Sequence, residues 1–446
     1  MRKFVRGMAS LILMLAVSAL LVEGGARLWL TRLASDTQFK RYASLSEYRV
    51  RFEKRGEALT PFVPHRYLGY TLSPGHRGLV VAHNALGFRS EEFPVKKPEG
   101  EFRIVCLGSS TTYSMYPRKD EMAVAGEIAE NPNEIVIAAL EKKAREMGME
   151  SLEAYAFNGS YPGLLERYLH QLGYKNVRVI NAGVPGYTSY ESLLNFELRC
   201  LELEPDVVLV YEGYNDIHTR LVWPHKAYLG DNSGANIHSS GWYKPLPWRM
   251  RSVALRMFLV MTGRERSPVD LATTFGETPK TGVYFAYQNE VLRGRFPSKF
   301  FQNHPLAEIL KSNPPIYYRR NIENIVAVAR AHGIVPVLIT FATRPEGTGT
   351  DVFDIPEYRA ALKEHNEVLL DIGKTLGTPV FDLAPLYPQD DPLLFSDLIH
   401  MTFPGGQIHS KLIGDYLISS GLLAASSSAA SAGSSSVPTK SSSSGL

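Results

Sequence analysis

Phe102-Arg103-Ile104-Val105-Cys106-Leu107-Gly108-Ser109-Ser110-Thr111 decides how the rest of the chain is read. The run from Phe102 to Leu107 is apolar and short, as expected of a buried strand. The next four residues, Gly-Ser-Ser-Thr, are turn formers and helix starters, so the spacing predicts a strand that turns sharply into a helix. A serine hydroxyl at such a turn is exposed at the strand's carboxyl end. The backbone N–H groups of the new helix point the same way and can meet a developing negative charge.

Four more short apolar runs follow: Val177–Asn181, Val207–Tyr211, Val335–Thr340 and Pro379–Leu383. Between them lie amphipathic helical patterns at Leu164–Leu172, Ser189–Leu203, Tyr318–His332 and Glu357–Leu376. Strands alternating with helices predict a parallel sheet of about five strands covered by helices on both faces. In such sheets a ligand sits beyond the carboxyl ends of the strands. Asn181-Ala182-Gly183-Val184-Pro185-Gly186 follows the second strand, Gly213-Tyr214-Asn215-Asp216 the third, and Asp397-Leu398-Ile399-His400 the fifth. With Gly108–Thr111 these segments supply a nucleophile, oxyanion donors, a base and a base-orienting carboxylate at one sheet edge.

Ser110 is the candidate nucleophile, and His400 the candidate base, with Asp397 three residues before it to orient the ring. Ser110, Gly186 and Asn215 are the candidate oxyanion hole, with Gly183 a competitor for the place of Gly186. Asp216 is expected to cap the segment that follows it. His409, inside the last helix, is expected to face solvent or neighbouring packing, and His218 could touch substrate but lacks an evident carboxylate partner. There is no His-Glu-x-x-His segment, no paired cysteine spacing and no Asp-rich loop, so neither a metal nor a cofactor is expected. Gly108–Thr111 also lacks the Gly-Lys-Ser/Thr ending of a phosphate loop.

The ends of the chain differ in composition from the middle. Residues 1–33 read as an anchor or signal segment: Arg2, Lys3 and Arg6 precede an apolar run from Met8 to Val22. The run resumes after Glu23, which could pair with Arg27 one helical turn on. Small residues at Gly24-Gly25-Ala26 make a passable cleavage site. An uncleaved anchor with the bulk of the protein outside the cytoplasm is the favoured expectation, and secretion after cleavage the alternative. Residues 34–98 are expected to connect the anchor to a core at 99–422. That core carries insertions at about 116–160, with a helical pattern at Glu134–Met147, and about 218–315. Residues 423–446, nearly all Ser, Ala and Gly, are expected to be a disordered tail. A net charge of +3 gives no case for nucleic-acid binding. Cys106 and Cys200 are the only cysteines, and both are expected to be free.

In the second insertion Trp223, Tyr228, Trp242, Tyr243 and Trp248 could stack on sugar rings or line an acyl pocket. The plainer expectation is a small core of their own. Trp248–Thr262 reads as a helix that could lie on a membrane surface or, the reading preferred, close over the site as a lid.

On these motifs the chain resembles the SGNH (GDSL-type) hydrolase superfamily. It resembles in particular a bacterial membrane-anchored group with an Asn-x-x-Gly-x-Arg segment before the first strand, here Asn84-Ala85-Leu86-Gly87-Phe88-Arg89. The resemblance covers about Tyr67 to Leu422 outside the two insertions. It implies a three-layer α/β/α sandwich with a flavodoxin-like central parallel sheet of about five strands, and a serine esterase acting on an O-acyl ester of a small molecule or glycan. An O-acyltransferase with the same residues, or a non-catalytic carbohydrate-binding module, is the alternative. The family's usual Asp before the nucleophile is Ser109 here; that Asp is not a triad member. Oligomeric state is not legible in the sequence.

Overall fold

Alternate residues of the central strands point to opposite faces, and both faces are apolar. Ile104 and Cys106 join one core with Val179, Leu209 and Val337, while Val105 and Leu107 join another with Ile180, Val208 and Leu338. Such strands must be covered on both sides, which is the requirement a parallel sheet meets with helices.

The structure is a computed structural model. It describes residues 2–44, 47, 50–51, 61–78, 80–115, 138, 141–142, 144–145, 148–222, 225–230, 248–265, 268, 305–347, 354–388 and 390–423. Strands β1 (Phe62–His65) and β2 (Gly69–Leu72) form an antiparallel hairpin. Strands β3 (Phe102–Gly108), β4 (Val177–Asn181), β5 (Val207–Tyr211), β6 (Val335–Ile339) and β7 (Val380–Phe381) form a parallel sheet in the order β4-β3-β5-β6-β7. Numbered within the sheet this is 2-1-3-4-5, the flavodoxin-like order, whose strand order reverses beside β3. In register, Ile104 lies opposite Val179 on one side and Val207 on the other.

The helices are α1 (Arg2–Leu28), α2 (Asp36–Tyr42), α3 (Ser110–Tyr113), α4 (Leu152–Asn158), α5 (Tyr161–Gln171) and α6 (Ser189–Asn195). They continue with α7 (Tyr214–Arg220), α8 (Val253–Met261), α9 (Leu306–Ser312), α10 (Ile316–Ala331), α11 (Pro356–Leu376) and α12 (Phe403–Ser419). Helices α5 and α12 cover one sheet face through Leu165, Leu169, Ile413 and Leu417. Helices α6 and α10 cover the other through Leu193, Ile322, Ile325 and Ala329. Cys106 and Cys200 are buried in these opposite cores and both are free.

The five predicted strands are present, with β7 cut to Val380–Phe381. The expected helix over Ser189–Leu203 is not continuous: α6 passes into a π-helical turn at Phe196–Cys200 and a 3-10 turn at Leu201–Leu203. It ends on Glu204 with φ 51°, the only non-glycine residue with positive φ among the described residues. The segment expected merely to connect does more. Tyr70 Oη donates to Pro185 O at 2.6 Å and Tyr187 Oη donates to Tyr70 O at 2.5 Å, so the β1–β2 hairpin buttresses the loop after β4.

Helix α1 and the π-helical turn Trp29–Leu33 carry the apolar N-terminus. Over Arg6–Leu33 the mean hydropathy reaches 2.0, and this is the one helix among the described residues long and apolar enough to cross a membrane. The expected Glu23–Arg27 pair is present, at 2.7 Å. The expected helix at Trp248–Thr262 is shorter: a 3-10 turn at Trp248–Met250 precedes α8. Its buried side, Val253 and Val260, packs with Leu30, Ala34, Phe39 and Tyr42 of the N-terminal segment. The lid expectation therefore gives way to docking on the N-terminal segment, because that segment supplies the apolar partners. The Glu134–Met147 pattern lies mostly, and Trp223, Trp242, Tyr243 and the 424–446 tail wholly, outside the described residues.

Candidate active site

Strand β3 ends on Gly108, and the chain turns at once into α3. An added Cβ at Gly108 would stand 2.0 Å from Thr112 Oγ1 and 2.9 Å from Tyr211 O; only glycine lets the turn close this tightly. Ser110 is the first residue of α3 and is partly exposed. Ser109 is buried and makes no side-chain cap. Its carbonyl accepts from Thr112 and Tyr113 N–H.

His400 comes from a tight loop between β7 and α12. Ser396 N–H donates to His400 O at 2.8 Å and Thr402 N–H donates to Leu394 O at 2.9 Å, pinning both ends of the loop. Asp397 Oδ1 accepts from Ile399 N–H at 2.9 Å and His400 N–H at 2.7 Å. Its other oxygen, Oδ2, lies 2.6 Å from His400 Nδ1. A carboxylate can only accept, so Nδ1 carries the proton and Nε2 is left as an acceptor. Ser110 Oγ lies 2.7 Å from that Nε2. Three residues, two of them 290 positions from the third or nearly so, thus stand in one hydrogen-bonded line. Burial raises the Asp397 carboxyl pKa, but the charge of His400 and the three hydrogen bonds outweigh it and hold the carboxyl below its usual range. Asp397 is therefore ionised at neutral pH.

The oxyanion candidates lie on the loops after β4 and β5. Gly183 N–H donates to Asn181 Oδ1 at 3.0 Å and is spoken for. Gly186 has φ 81°, and no acceptor for its N–H occurs among the described residues. Asn215, in the first turn of α7, donates one Nδ2 proton to Tyr187 O at 2.8 Å. That bond fixes the amide plane and leaves the second proton to the site. Asn181, quoted above only as part of a segment, is a hub: its Nδ2 donates to Thr112 O at 2.9 Å and Ser160 Oγ at 3.0 Å. It ties the loop after β4 to the helix of Ser110.

One expectation changes and two alternatives are decided. Asp216 does not cap the segment after it; its carboxylate accepts from Ser189 N–H at 3.0 Å and from the Ser189 hydroxyl, bracing α6 against α7. Of solvent or neighbouring packing, His409 takes the packing: it is fully buried against Tyr161 and Tyr211, with ring centroids 4.5 and 4.7 Å away. Burial drops its pKa to about 3, so it is neutral. Tyr228 follows the plainer expectation of packing: it meets Tyr317 edge-on and donates to Pro314 O at 3.0 Å. His218 packs against Tyr214 and Tyr358 and is not placed in the line of Ser110, His400 and Asp397.

Asp216 also makes a pH-dependent stability element. Burial raises its pKa from 3.8 to about 7, against the lowering effect of the Ser189 hydrogen bonds. Between those values the folded chain holds a proton that the unfolded chain has lost, so stability falls as pH rises through the window and levels off above it. Asp216→Asn keeps the acceptor for Ser189 N–H and removes the ionisation. Its urea-unfolding free energy is expected to change less between about pH 5 and about pH 8 than that of the unaltered chain.

No protein-family model matches the chain, and no curated protein matches it. Among solved structures it is similar to the lipase/acylhydrolase from Enterococcus faecalis, at 17% identity over 71% of this chain and 95% of that one, TM-score 0.34. It is similar also to the acetyl xylan esterase AlAXEase, at 14% identity over 71% of this chain and 100% of that one, TM-score 0.34. An acetyl xylan esterase from Geobacillus stearothermophilus is similar at 12% identity over 70% of this chain and 92% of that one, TM-score 0.36. At these identities and TM-scores the likeness bears on neither substrate nor mechanism.

Proposed function

We propose that the chain is a serine ester hydrolase of the SGNH type, membrane-anchored through α1, with its catalytic domain outside the cytoplasm. The observation that carries the reading is the line Ser110 Oγ–His400 Nε2–His400 Nδ1–Asp397 Oδ2, at 2.7 and 2.6 Å. In this reading Ser110 Oγ attacks the ester carbonyl carbon as its proton passes to His400 Nε2. Asp397 holds the ring and stabilises the imidazolium. The carbonyl oxygen becomes an oxyanion facing Ser110 N–H, Gly186 N–H and the remaining Asn215 Nδ2 proton. Collapse breaks the ester C–O bond, and the leaving alcohol takes the proton from His400. Water then gives a proton to His400 and attacks the acyl carbon. The second collapse releases the carboxylic acid and returns the proton to Ser110. The substrate is an O-acyl ester, O-acetyl groups included, on a small molecule or glycan.

Retention of the anchor is supported by Glu23, which lies before Gly24-Gly25-Ala26 and accepts from Ser252 Oγ, Val253 N–H and Ala254 N–H of the folded domain. Labelling the full chain with a fluorophosphonate, followed by peptide mapping, tests the serine. A single adduct on Ser110, absent from His400→Ala, is expected; well-folded protein that takes no label would overturn the reading. If acyl transfer to an added glycan exceeds release of free acid, the chain is a transferase built on the same residues.

Asn215→Ala is expected to lower kcat by about 10²–10³ with little change in KM. The lost donor acts on charge that exists only in the transition state. Steady-state kinetics on an aryl acetate checks it; an unchanged kcat would remove Asn215 from the oxyanion hole.

A further inference from the structure

The apolar surface of the N-terminal helix does not stop where the helix does. The uninterrupted run Met8–Val22 rises about 22 Å as a helix, short of the roughly 30 Å hydrocarbon core of a bilayer. Beyond it Glu23 interrupts the span. Yet Glu23 is not left bare. Besides Arg27, its carboxylate accepts from Ser252 Oγ at 2.7 Å, Val253 N–H at 3.0 Å and Ala254 N–H at 3.0 Å. These are the N-cap and the first two residues of α8, 229 to 231 positions away. An acidic group at a helix N-terminus satisfies orphan N–H donors and the positive end of the helix dipole together. The anchor thus caps a helix from the far side of the fold. A second tie, Arg256 to Glu47 at 2.6 Å, holds the buried side of α8 to the same segment.

The side of α8 turned away from that contact is apolar and open. Leu255, Phe258 and Met261 are 39%, 52% and 63% exposed, and Trp248 just before them is 78% exposed. Leu28 and Leu33, in the last turns of the N-terminal segment on which α8 packs, are exposed as well. A surface helix in water would carry polar residues here. Exposed arginines accompany the patch: Arg27, Arg32, Arg251 and Arg264. Apolar residues with an aromatic tip and flanking cations are the composition that settles at the boundary of acyl chains and anionic headgroups.

We propose that α8 is a membrane-interface helix, locked to the anchor by Glu23, and that the bilayer surface is what covers its apolar side. The catalytic domain would then be seated on the membrane at a fixed place rather than tethered loosely above it. This rests on the reading of α1 as a membrane anchor, and the experiment separates the two.

Cys106 and Cys200 are both buried, so a cysteine introduced at an exposed site is the thiol that reacts. Full-length Phe258→Cys, Leu13→Cys and Leu198→Cys proteins would each carry an environment-sensitive fluorophore. Each would be reconstituted into vesicles of three parts phosphatidylcholine to one part phosphatidylglycerol, with and without acyl-brominated phosphatidylcholine. Ester hydrolysis serves as the check of folding. Leu13, 65% exposed within the apolar run, reports the anchor, and Leu198, 46% exposed behind the sheet, reports the solvated domain. The expected result is loss of emission at Phe258 approaching that at Leu13 and several-fold greater than at Leu198. Quenching at Leu13 with none at Phe258 overturns the proposal and leaves the anchor. Quenching at neither site overturns both. Energy transfer between differently labelled Phe258→Cys copies, without lipid quenching, makes the occupant a second copy and also overturns it. Adding Glu23→Gln to Phe258→Cys is expected to bring the Phe258 loss down toward the Leu198 level while Leu13 is unmoved. An unchanged Phe258 signal would deny Glu23 the locking role.

Discussion

Ser110→Ala protein is expected to lose about 10⁴–10⁶ of its kcat for ester hydrolysis, and Asp397→Asn about 10⁴. The two losses have different origins. Without Ser110 Oγ no acyl-serine can form. Without the Asp397 charge the imidazolium is unsupported, and an amide NH₂ facing Nδ1 favours the tautomer that places the ring proton on Nε2, against Ser110. Asn can still accept the Ile399 and His400 N–H bonds that shape the loop, so folding is expected to survive and the effect to be chemical. The check is kcat on an aryl acetate alongside circular dichroism of each variant. An Asp397→Asn enzyme that keeps its rate would mean that the carboxylate shapes the loop and nothing more.

Arg89→Met is expected to destabilise the fold by about 3–5 kcal/mol, the range for removing one partner from a buried charged network. Arg89 is 1% exposed, and its guanidinium donates to Ala156 O at 3.0 Å, Tyr113 O at 2.8 Å and Val80 O at 3.1 Å. Those carbonyls belong to three separate segments, and each would lose a donor in a place water does not reach readily. Arg89→Lys is expected to recover little, because a single ammonium cannot satisfy a planar fork of acceptors. Urea unfolding of the three proteins decides this. A change below about 1 kcal/mol, the worth of one ordinary hydrogen bond, would mean the site relaxes around the loss. Tyr113 ends the helix that begins with Ser110, so the Asn-x-x-Gly-x-Arg segment holds the far end of the helix that carries Ser110. Within the same segment Asn84 Oδ1 accepts from Leu86 and Phe88 N–H at 3.1 and 2.9 Å, which forms the turn that delivers Arg89.

What was legible in the sequence is what local chemistry controls. An apolar run such as Val207–Tyr211, too short for a buried helix and rich in β-branched residues, reads as a strand buried on both faces, and five short runs alternating with amphipathic helices point to a parallel sheet. Parallel sheets put the loops after their strands at one edge, so Ser110, Gly186, Asn215, Asp397 and His400 could be placed together before any contact was known. Even the Glu23–Arg27 pair follows from spacing alone.

The tertiary structure decided whatever depends on partners remote in the chain. Whether Gly183 or Gly186 keeps an unspent N–H turns on Asn181 reaching Gly183 first. Asp216 braces Ser189 instead of its own helix because the helix after β4 passes beside it, and no spacing encodes that approach. The hairpin at residues 62–72 falls in a segment read only as a connector; Tyr187 Oη donates to Tyr70 O across 117 positions and Tyr70 Oη donates to Pro185 O across 115, which ties it to the loop after β4. Helix α8 had an apolar stripe that a lid, a membrane or a core would all accept. Period fixes that a helix has a face to bury, but only the assembled chain supplies what it meets, and here that was the foot of the N-terminal helix and the carboxylate of Glu23.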